Sequence, residues 1–398
     1  MKLVEVTSKK LAKEFIKVAH FIYADDENWV CPLDNMINNI FNPKKNVFYT
    51  HGDAIRWILY DDQNKAIGRV AAFINEKKAF NFNQPTGGMG FFECIDDQYA
   101  AFMLFDSCKE WLAERGMKAM DGPINFGEND NFWGLLVDGF THPSFGMNYH
   151  RPYYKKHFEA YGFEPYFNQV TNHLDLTVPF PERFWKIADW VRRKPAYTFQ
   201  HLEIKKIDKY LKDLKEIYDN AWQFHENFTP VELDDLYKSF KEAKSIIVEE
   251  FTWFVYNEGK PIAFLVMFPD ANQLLKPFRG KLNLLNKIKF FINTKRNKMT
   301  RTRITVMGVI PEFQGKGVES GIFWHMNEVM KHKPHYTEIE MSWVGDFNPK
   351  MQAIHEAVGG HFGKKHITYR MHFDNSSVKK RSTIIPMNTK EQISQIEE

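Results

Sequence analysis

The chain is short of cysteine, of net charge and of long apolar runs, and each shortage excludes something. Its three cysteines, Cys31, Cys94 and Cys108, are an odd number with neither a CxxC pair nor a Cys/His ligand spacing. That argues against a disulfide framework and a structural zinc site, and no metal is expected. Lysine and arginine number 53 against 50 acidic residues, a net charge of +3. No overall field draws in nucleic acid, and none is expected as a partner. No stretch approaches the ~18 consecutive apolar residues that cross a bilayer. The N-terminal MKLVEVTSKKLAKEF has charges scattered where a secretory signal needs an apolar core. A cytoplasmic protein is expected, with peripheral membrane contact left open.

What remains is a chain of 398 residues, long enough for two domains. Aromatic residues make up 16%, among them 36 Phe; this suits large buried sheets or a pocket for something apolar, and composition does not separate the two. Two stretches follow one coarse pattern. In the first, residues 46–60 and 66–74 (AIGRVAAFI) read as strands. Residues 97–115 read as a helix, with Phe102, Leu104, Phe105, Cys108 and Leu112 at helical spacing. In the second, residues 251–256, 261–268 (PIAFLVMF), 302–310 (TRITVMGVI) and 337–344 read as strands, with a helix over 317–332. That rhythm predicts an α/β fold with a mixed sheet in each half. The boundary is placed near Pro195, after a helix in residues 180–199, giving domains 1–195 and 196–374. Residues 375–398, polar and aperiodic, are read as a mobile tail.

The sharpest local signal runs from Val306 to Met330. An apolar strand through Val309 ends at Pro311, Gln314-Gly315-Lys316-Gly317 follows, and a helix begins with Val318, Glu319 and Ser320. Glycines let backbone approach closely, and a helix N-terminus presents N–H groups with a positive partial charge. Such a turn suits a pyrophosphate, or serves only as a tight strand-to-helix connection.

This segment closely resembles the acyl-CoA loop of the GNAT superfamily of N-acyltransferases, Q/R-x-x-G-x-G/A. Gln314 and Gly317 stand at its first and fourth positions, and Glu319 departs at the sixth. A carboxylate facing inward there would repel phosphate, so the cradle survives if Glu319 points to solvent. The resemblance implies two GNAT-like domains, each a mixed, mostly antiparallel twisted sheet flanked by helices. It also implies acyl-CoA as co-substrate, held by Val309, Gln314, Gly315, Lys316, Gly317, Val318 and Ser320. Residues 338–369 are similar to the later GNAT motif, with Asn348 and Gly359 at matching positions and His355 where many members have a tyrosine as general acid. His355 would protonate the departing thiolate, or is a packing histidine. Glu338 and Glu340 share one strand face and either could deprotonate the amine; Glu340 is the favoured base, and the assigned catalytic set is Glu340, His355 and Asn348.

In the first half, Gly87-Gly88-Met89-Gly90 occupies the place of a cofactor loop, but Glu93, Asp96 and Asp97 make it acidic. Residues 148–166 resemble the end of a GNAT domain, so this half is expected to be a copy without cofactor. Its loop 122–130, GPINFGEND, is read as a structured turn or an acceptor-binding loop.

From Ala271 to Pro311 there is no acidic residue. Within this basic insertion (271–303), Leu284, Leu285, Ile288, Phe291 and Ile292 form one helical stripe flanked by Lys287 and Lys289. Either the stripe packs on the core, or Lys287, Lys289 and Phe291 face an anionic membrane. The segment PDANQLLK at its start, DENWVCPL near the N-terminus and GPINFGEN resemble a bacterial group of double GNAT proteins that includes the ceramide synthases. That similarity, over about residues 20–373, implies a long-chain acyl-CoA donor and a sphingoid amine acceptor; the basic insertion leaves peripheral contact with the inner membrane open. An amino acid or small amine acceptor, and a non-catalytic lipid- or protein-binding module, stay as alternatives. Transfer from tRNA is disfavoured by weak basicity outside the insertion.

Overall fold

The computed structural model describes residues 1–82, 84–223, 228, 230–374 and 380–385. Residue contacts divide it into two units: Met1–Gln169 with Leu274–Phe291 and Lys364–Ser382, and Val170–Gln273 with Ile292–Gly363 and Thr383–Glu398. These are interleaved segments, whereas the division drawn at residue 195 is linear. Residues 170–195 sort with the second unit; part of the basic insertion and residues 364–382 sort with the first. Of the expected tail, Ile385 is buried and donates its N–H to Phe347 O at 2.8 Å; residues 375–379 and 386–398 lie outside the described residues.

The strands of the first part of the chain are β1 (Lys2–Glu5), β2 (Gly52–Tyr60), β3 (Ala66–Asn75), β4 (Thr86–Cys94), β5 (Ala119–Gly122), β6 (Leu135–Asp138) and β7 (Glu164–Asp175). Then come β8 (Tyr197–His201), β9 (Thr252–Asn257), β10 (Lys260–Pro269), β11 (Arg301–Val309), β12 (Glu338–Glu340), β13 (Val344–Gly345) and β14 (His361–His372). In the first unit the order is β1-β2-β3-β4-β5-β14, antiparallel except for a parallel β4–β5 pair. The second runs β7-β12-β11-β10-β9-β8, antiparallel except for a parallel β11–β12 pair. The fold is the expected mixed, mostly antiparallel α/β architecture, and the two units repeat one plan.

Local differences from the sequence reading have physical causes. The expected strand 46–60 starts only at Gly52, because the Asn46 side chain accepts from Phe48 N–H and holds Val47–Thr50 in a 3-10 turn. The expected strand 337–344 is interrupted after Glu340, where Met341 N–H turns to Asn172 O at 2.8 Å.

β3 is buried along almost its whole length, which is why AIGRVAAFI reads as an unbroken apolar run. Its one charge, Arg69, is buried and paired with Glu93 at 3.4 Å. On the other side of β4, pairing with β5 lasts only from Thr86 to Gly88. Beyond it Phe91 and Phe92 of β4 stand against Val70 alone, a bulge in which Phe91 has φ 53°. The edge so released is taken by the chain's own loop: Ile124 N–H donates to Met89 O at 2.9 Å. The fit is close, since a Cβ on Gly90 would lie 1.9 Å from Ile124 O. Gly90→Ala should therefore destabilise the protein by about 2–3 kcal/mol in urea unfolding, as overpacking against rigid backbone does; an unchanged midpoint would show the loop to be movable.

Candidate active site

The second unit makes the same parting, and among the described residues no loop amide pairs with β11 there as Ile124 does with β4. β11 lies against β12 only through Arg301, Thr302 and Arg303, opposite Glu338, Ile339 and Glu340. Two residues on, Thr305 is one residue too many against β10, where Val266 and Met267 pair with Val306 and Ile304. A bulge bends and twists its strand, and this one falls where β11 leaves its parallel neighbour. From Arg303 to Val309 the strand runs roughly 20 Å at about 3.3 Å per residue. A strand edge of this kind takes an extended ligand through its backbone groups.

At the far end of β11, Pro311–Phe313 makes one 3-10 turn and leads into Gln314. The Gln314 side chain is tied twice: Nε2 donates to Val309 O, and Oε1 accepts from Lys350 Nζ, each at 3.0 Å. Gln314 thus braces the loop against its strand. Gly315 and Gly317 have φ of 72° and 77°, a region where other residues are strained. A Cβ on Gly317 would come within 3.1 Å of both Ile187 and Val191, while one on Gly315 would meet nothing within 4 Å. Packing of the helix Glu182–Arg192 therefore accounts for part of the glycine signal, and the accessible side of the turn is at Gly315. Lys316 is exposed, its ammonium 4.6 Å from the Phe313 ring centroid.

The helix Val318–Lys331 then starts at Gly317 with no side-chain cap. Its first amides, on Val318, Glu319 and Ser320, have no carbonyl one turn back and carry the positive end of the helix dipole. The first unit differs here. Its helix Gln98–Ala113 is capped by Asp97, whose carboxylate accepts from Ala100 N–H at 2.8 Å. One helix start has a side-chain cap; the other has none, and the acid in its first turn, Glu319, bonds only its own amide.

Glu319 does not turn to solvent, as the cradle seemed to require; it is 6% exposed. Burial raises its carboxyl pKa, opposed by a bond from its own backbone N–H. A carboxyl that holds its proton more readily repels phosphate less.

The closed end of the parting is ionic. Glu340 is fully buried, with Arg301 at 3.8 Å and His173 Nε2 at 3.6 Å. Glu338 bonds the other imidazole nitrogen, Nδ1, and accepts from Arg301 Nε at 3.1 Å. Asp270, the residue after β10, approaches Arg301 at 3.8 Å. Burial alone would raise Glu338, but the bonds from His173 and Arg301 bring its pKa to about 2. Among these groups Glu338 is the most accessible, its side chain 31% exposed, and His173 follows at 19%. Gly363 makes room for it: a Cβ there would lie 2.1 Å from the ring.

His355, on the helix Pro349–Ala357, is buried beside Asn172, whose Nδ2 is 3.1 Å from Nδ1. Burial lowers its pKa to about 4. At neutral pH the ring is uncharged and offers a hydrogen bond rather than an imidazolium proton. Asn348 caps the same helix, its side chain accepting from Met351 N–H at 3.2 Å. Residues 309–320 thus gather at one end of β11 and Glu340 at the other. Reading the sequence missed Arg301, His173, Asn172 and Lys350. Their partners are long-range, and only the lack of acids around Arg301 marked any of them.

A parallel pair parting at a bulge, then a glycine turn into an uncapped helix, occurring in a chain that repeats its sheet plan, defines a tandem GNAT fold. Residues 211–359 match the acetyltransferase (GNAT) family. Bacterial ceramide synthase of Caulobacter vibrioides (strain NA1000 / CB15N) is 28% identical over 382 residues, 94% of this chain and 97% of that one. Protein YghO of Escherichia coli (strain K12) is 25% identical over 371 residues, 91% and 93% of the two chains. A tandem GNAT protein from the clavulanic acid biosynthesis pathway superposes with a TM-score of 0.57 at 10% identity, covering 94% of this chain and 99% of that one. At that identity the likeness concerns fold alone. The chain thus matches the GNAT family over residues 211–359, shares the tandem GNAT fold, and is similar over nearly its full length to a bacterial ceramide synthase.

The neutral burial of His355 has a sign that can be measured. Its folded pKa lies below the unfolded value near 6.5, so the unfolded chain binds the extra proton between the two. Stability is retained above pH 6.5 and falls as pH drops from there toward about 4, by at most about 3 kcal/mol for this group. In His355→Gln the acid-side loss across that window should shrink by a comparable amount in urea titrations. An unchanged pH slope would show that His355 takes up its proton without cost.

Proposed function

We propose that the protein is an acyl-CoA-dependent N-acyltransferase whose acceptor is a lipid amine of the sphingoid type. The observation that carries this reading is the pairing of a parted β11 edge with an uncapped, glycine-led helix start. The amides of Gly315, Gly317, Val318 and Ser320 would hold the CoA phosphates, with Lys316 and Lys350 nearby as cations. The acyl thioester would lie along β11 toward Glu340. The amine nitrogen attacks the thioester carbonyl, the C–S bond breaks, an amide forms and CoA leaves as thiolate.

The amine's proton goes to the Glu340–His173 pair. Glu340 is enclosed by Arg301, so its half-buried partner His173 takes the proton and the two carboxylates stabilise the resulting imidazolium. His355 is neutral and supports the thiolate with a hydrogen bond from Nε2, while its Nδ1 accepts from Asn172. Asn348 holds the helix that carries it. The lipid acceptor rests on the similarity to bacterial ceramide synthase and on the basic amphipathic insertion. A small-amine acceptor uses the same chemistry.

Calorimetry with octanoyl- and palmitoyl-CoA tests the donor. Gly315→Asp puts a carboxylate into free space at a φ that Asp tolerates, and should weaken binding at least tenfold with the unfolding midpoint kept. Absence of heat from the parent protein, or no effect of this variant, refutes the cofactor reading and favours a non-catalytic module. Release of free CoA with sphinganine and not with amino acids identifies the lipid acceptor; the reverse selects the small amine.

Glu319 gives a further test. As pH rises and Glu319 ionises, acyl-CoA binding should weaken, and Glu319→Gln should remove that pH dependence and tighten binding about three- to tenfold. If the variant follows the parent at every pH, Glu319 does not face the phosphates.

A further inference from the structure

The helix Leu284–Lys295 is inside out. Leu284, Leu285, Ile288, Phe291 and Ile292 are between 42% and 73% exposed. At 3.6 residues per turn they occupy about 120° of one face. The opposite face carries Asn286, Phe290, Asn293 and Thr294, and these are the half-buried residues of the helix. Asn286 is tied down by its side chain, which donates to Lys281 O at 2.8 Å. The choice left by the sequence, stripe on the core or stripe outward, is decided by these exposures: the polar side lies toward protein and the leucine side toward solvent. Five large apolar side chains together on one exposed face signal an interaction surface.

Charge selects the occupant. Lys287 and Lys289 flank the stripe on its two sides, and Lys281, Lys295, Arg296 and Lys298 lie at its ends, all exposed. No acid occurs from residue 271 to 311. A symmetric pairing of this face with a second copy of itself would set lysine rim against lysine rim. An anionic bilayer surface meets both features at once: phosphates for the lysines, acyl chains for the stripe. Among the described residues no helix is long and apolar enough to cross a membrane, which leaves a helix lying in the interface plane.

We propose that the helix Leu284–Lys295 docks the protein on anionic lipid, inserting Leu284, Leu285, Ile288, Phe291 and Ile292 between Lys287 and Lys289. The surface is independent of the acyl-transfer reading, and vesicle binding without acyl-CoA measures it separately.

The test is flotation of the full chain with phosphatidylcholine vesicles and with vesicles containing about one-third phosphatidylglycerol. The parent should float only with the anionic vesicles. Lys287→Gln with Lys289→Gln should weaken binding about 25-fold, roughly fivefold per charge. Leu285→Ser with Phe291→Ser should weaken it at least tenfold with the unfolding midpoint unchanged, since both side chains are exposed. Trp emission from Phe291→Trp should shift to the blue on anionic vesicles. The proposal is overturned if the parent fails to float, or if both double variants float like the parent. It is equally overturned if sedimentation shows an oligomer that Leu285→Ser with Phe291→Ser dissociates while vesicle binding is nil, because the face then belongs to a second copy.

Discussion

A strand that leaves its neighbour must find other partners for the backbone groups it exposes. Both units meet this constraint, since β4 leaves β5 after Gly88 and β11 leaves β12 after Arg303. In the first unit the chain supplies the partner itself, with Ile124 against Met89 and Gly90, and the adjoining helix start is occupied by Asp97. The second unit has glycine at its helix start and no side-chain cap. On the proposed reading, an acyl-CoA does for the second unit what residues 97 and 124 do for the first. On that reading the first unit would hold no cofactor because it is self-occupied, not because its fold differs.

The same parting needs an anchor at its closed end, and the ionic cluster is suited to that. Arg301 on β11 reaches Glu338 and Glu340 on β12 and Asp270 at the end of β10, while His173 reaches both glutamates from β7. Buried ion pairs contribute little net stability, but removing one member leaves a charge unpaired. The cluster therefore fixes which residues of four strands stand side by side. A register slip of one residue would send these side chains to the opposite face. The groups that set the register are those best placed to handle a proton, so the proposed base is positioned by the sheet itself.

Much of this plan was legible in the sequence where the signal is local. The strand through Val309, the stop at Pro311, the glycines at 315 and 317 and the helix after them follow from turn chemistry and period. The bulge at Thr305 was not legible, because it depends on the register with β10. The orientation of Glu319 was not legible either: the second position of a helix looks outward or inward according to what packs over it. His355 could be located but not its protonation state, which burial decides. The insertion helix shows the limit most plainly. Period 3.6 revealed that Leu284, Leu285, Ile288, Phe291 and Ile292 share a face, but a stripe has the same period whether it meets core or solvent.

A neutral His355 also constrains the order of proton movements on the proposed reading. The tetrahedral intermediate must release a thiolate, and an imidazole held uncharged down to about pH 4 cannot donate a full proton to it at neutral pH. It can lower the cost of the developing negative charge on sulfur with a hydrogen bond, because a CoA thiol ionises more readily than an amine and leaves well as an anion. The demanding proton transfer is then the one from nitrogen, since an amine reaching the site as ammonium is no nucleophile. That places the demanding step at the amine nitrogen. The carboxylate of Glu338, held near a pKa of 2, remains charged throughout and keeps His173 oriented through its bond to Nδ1.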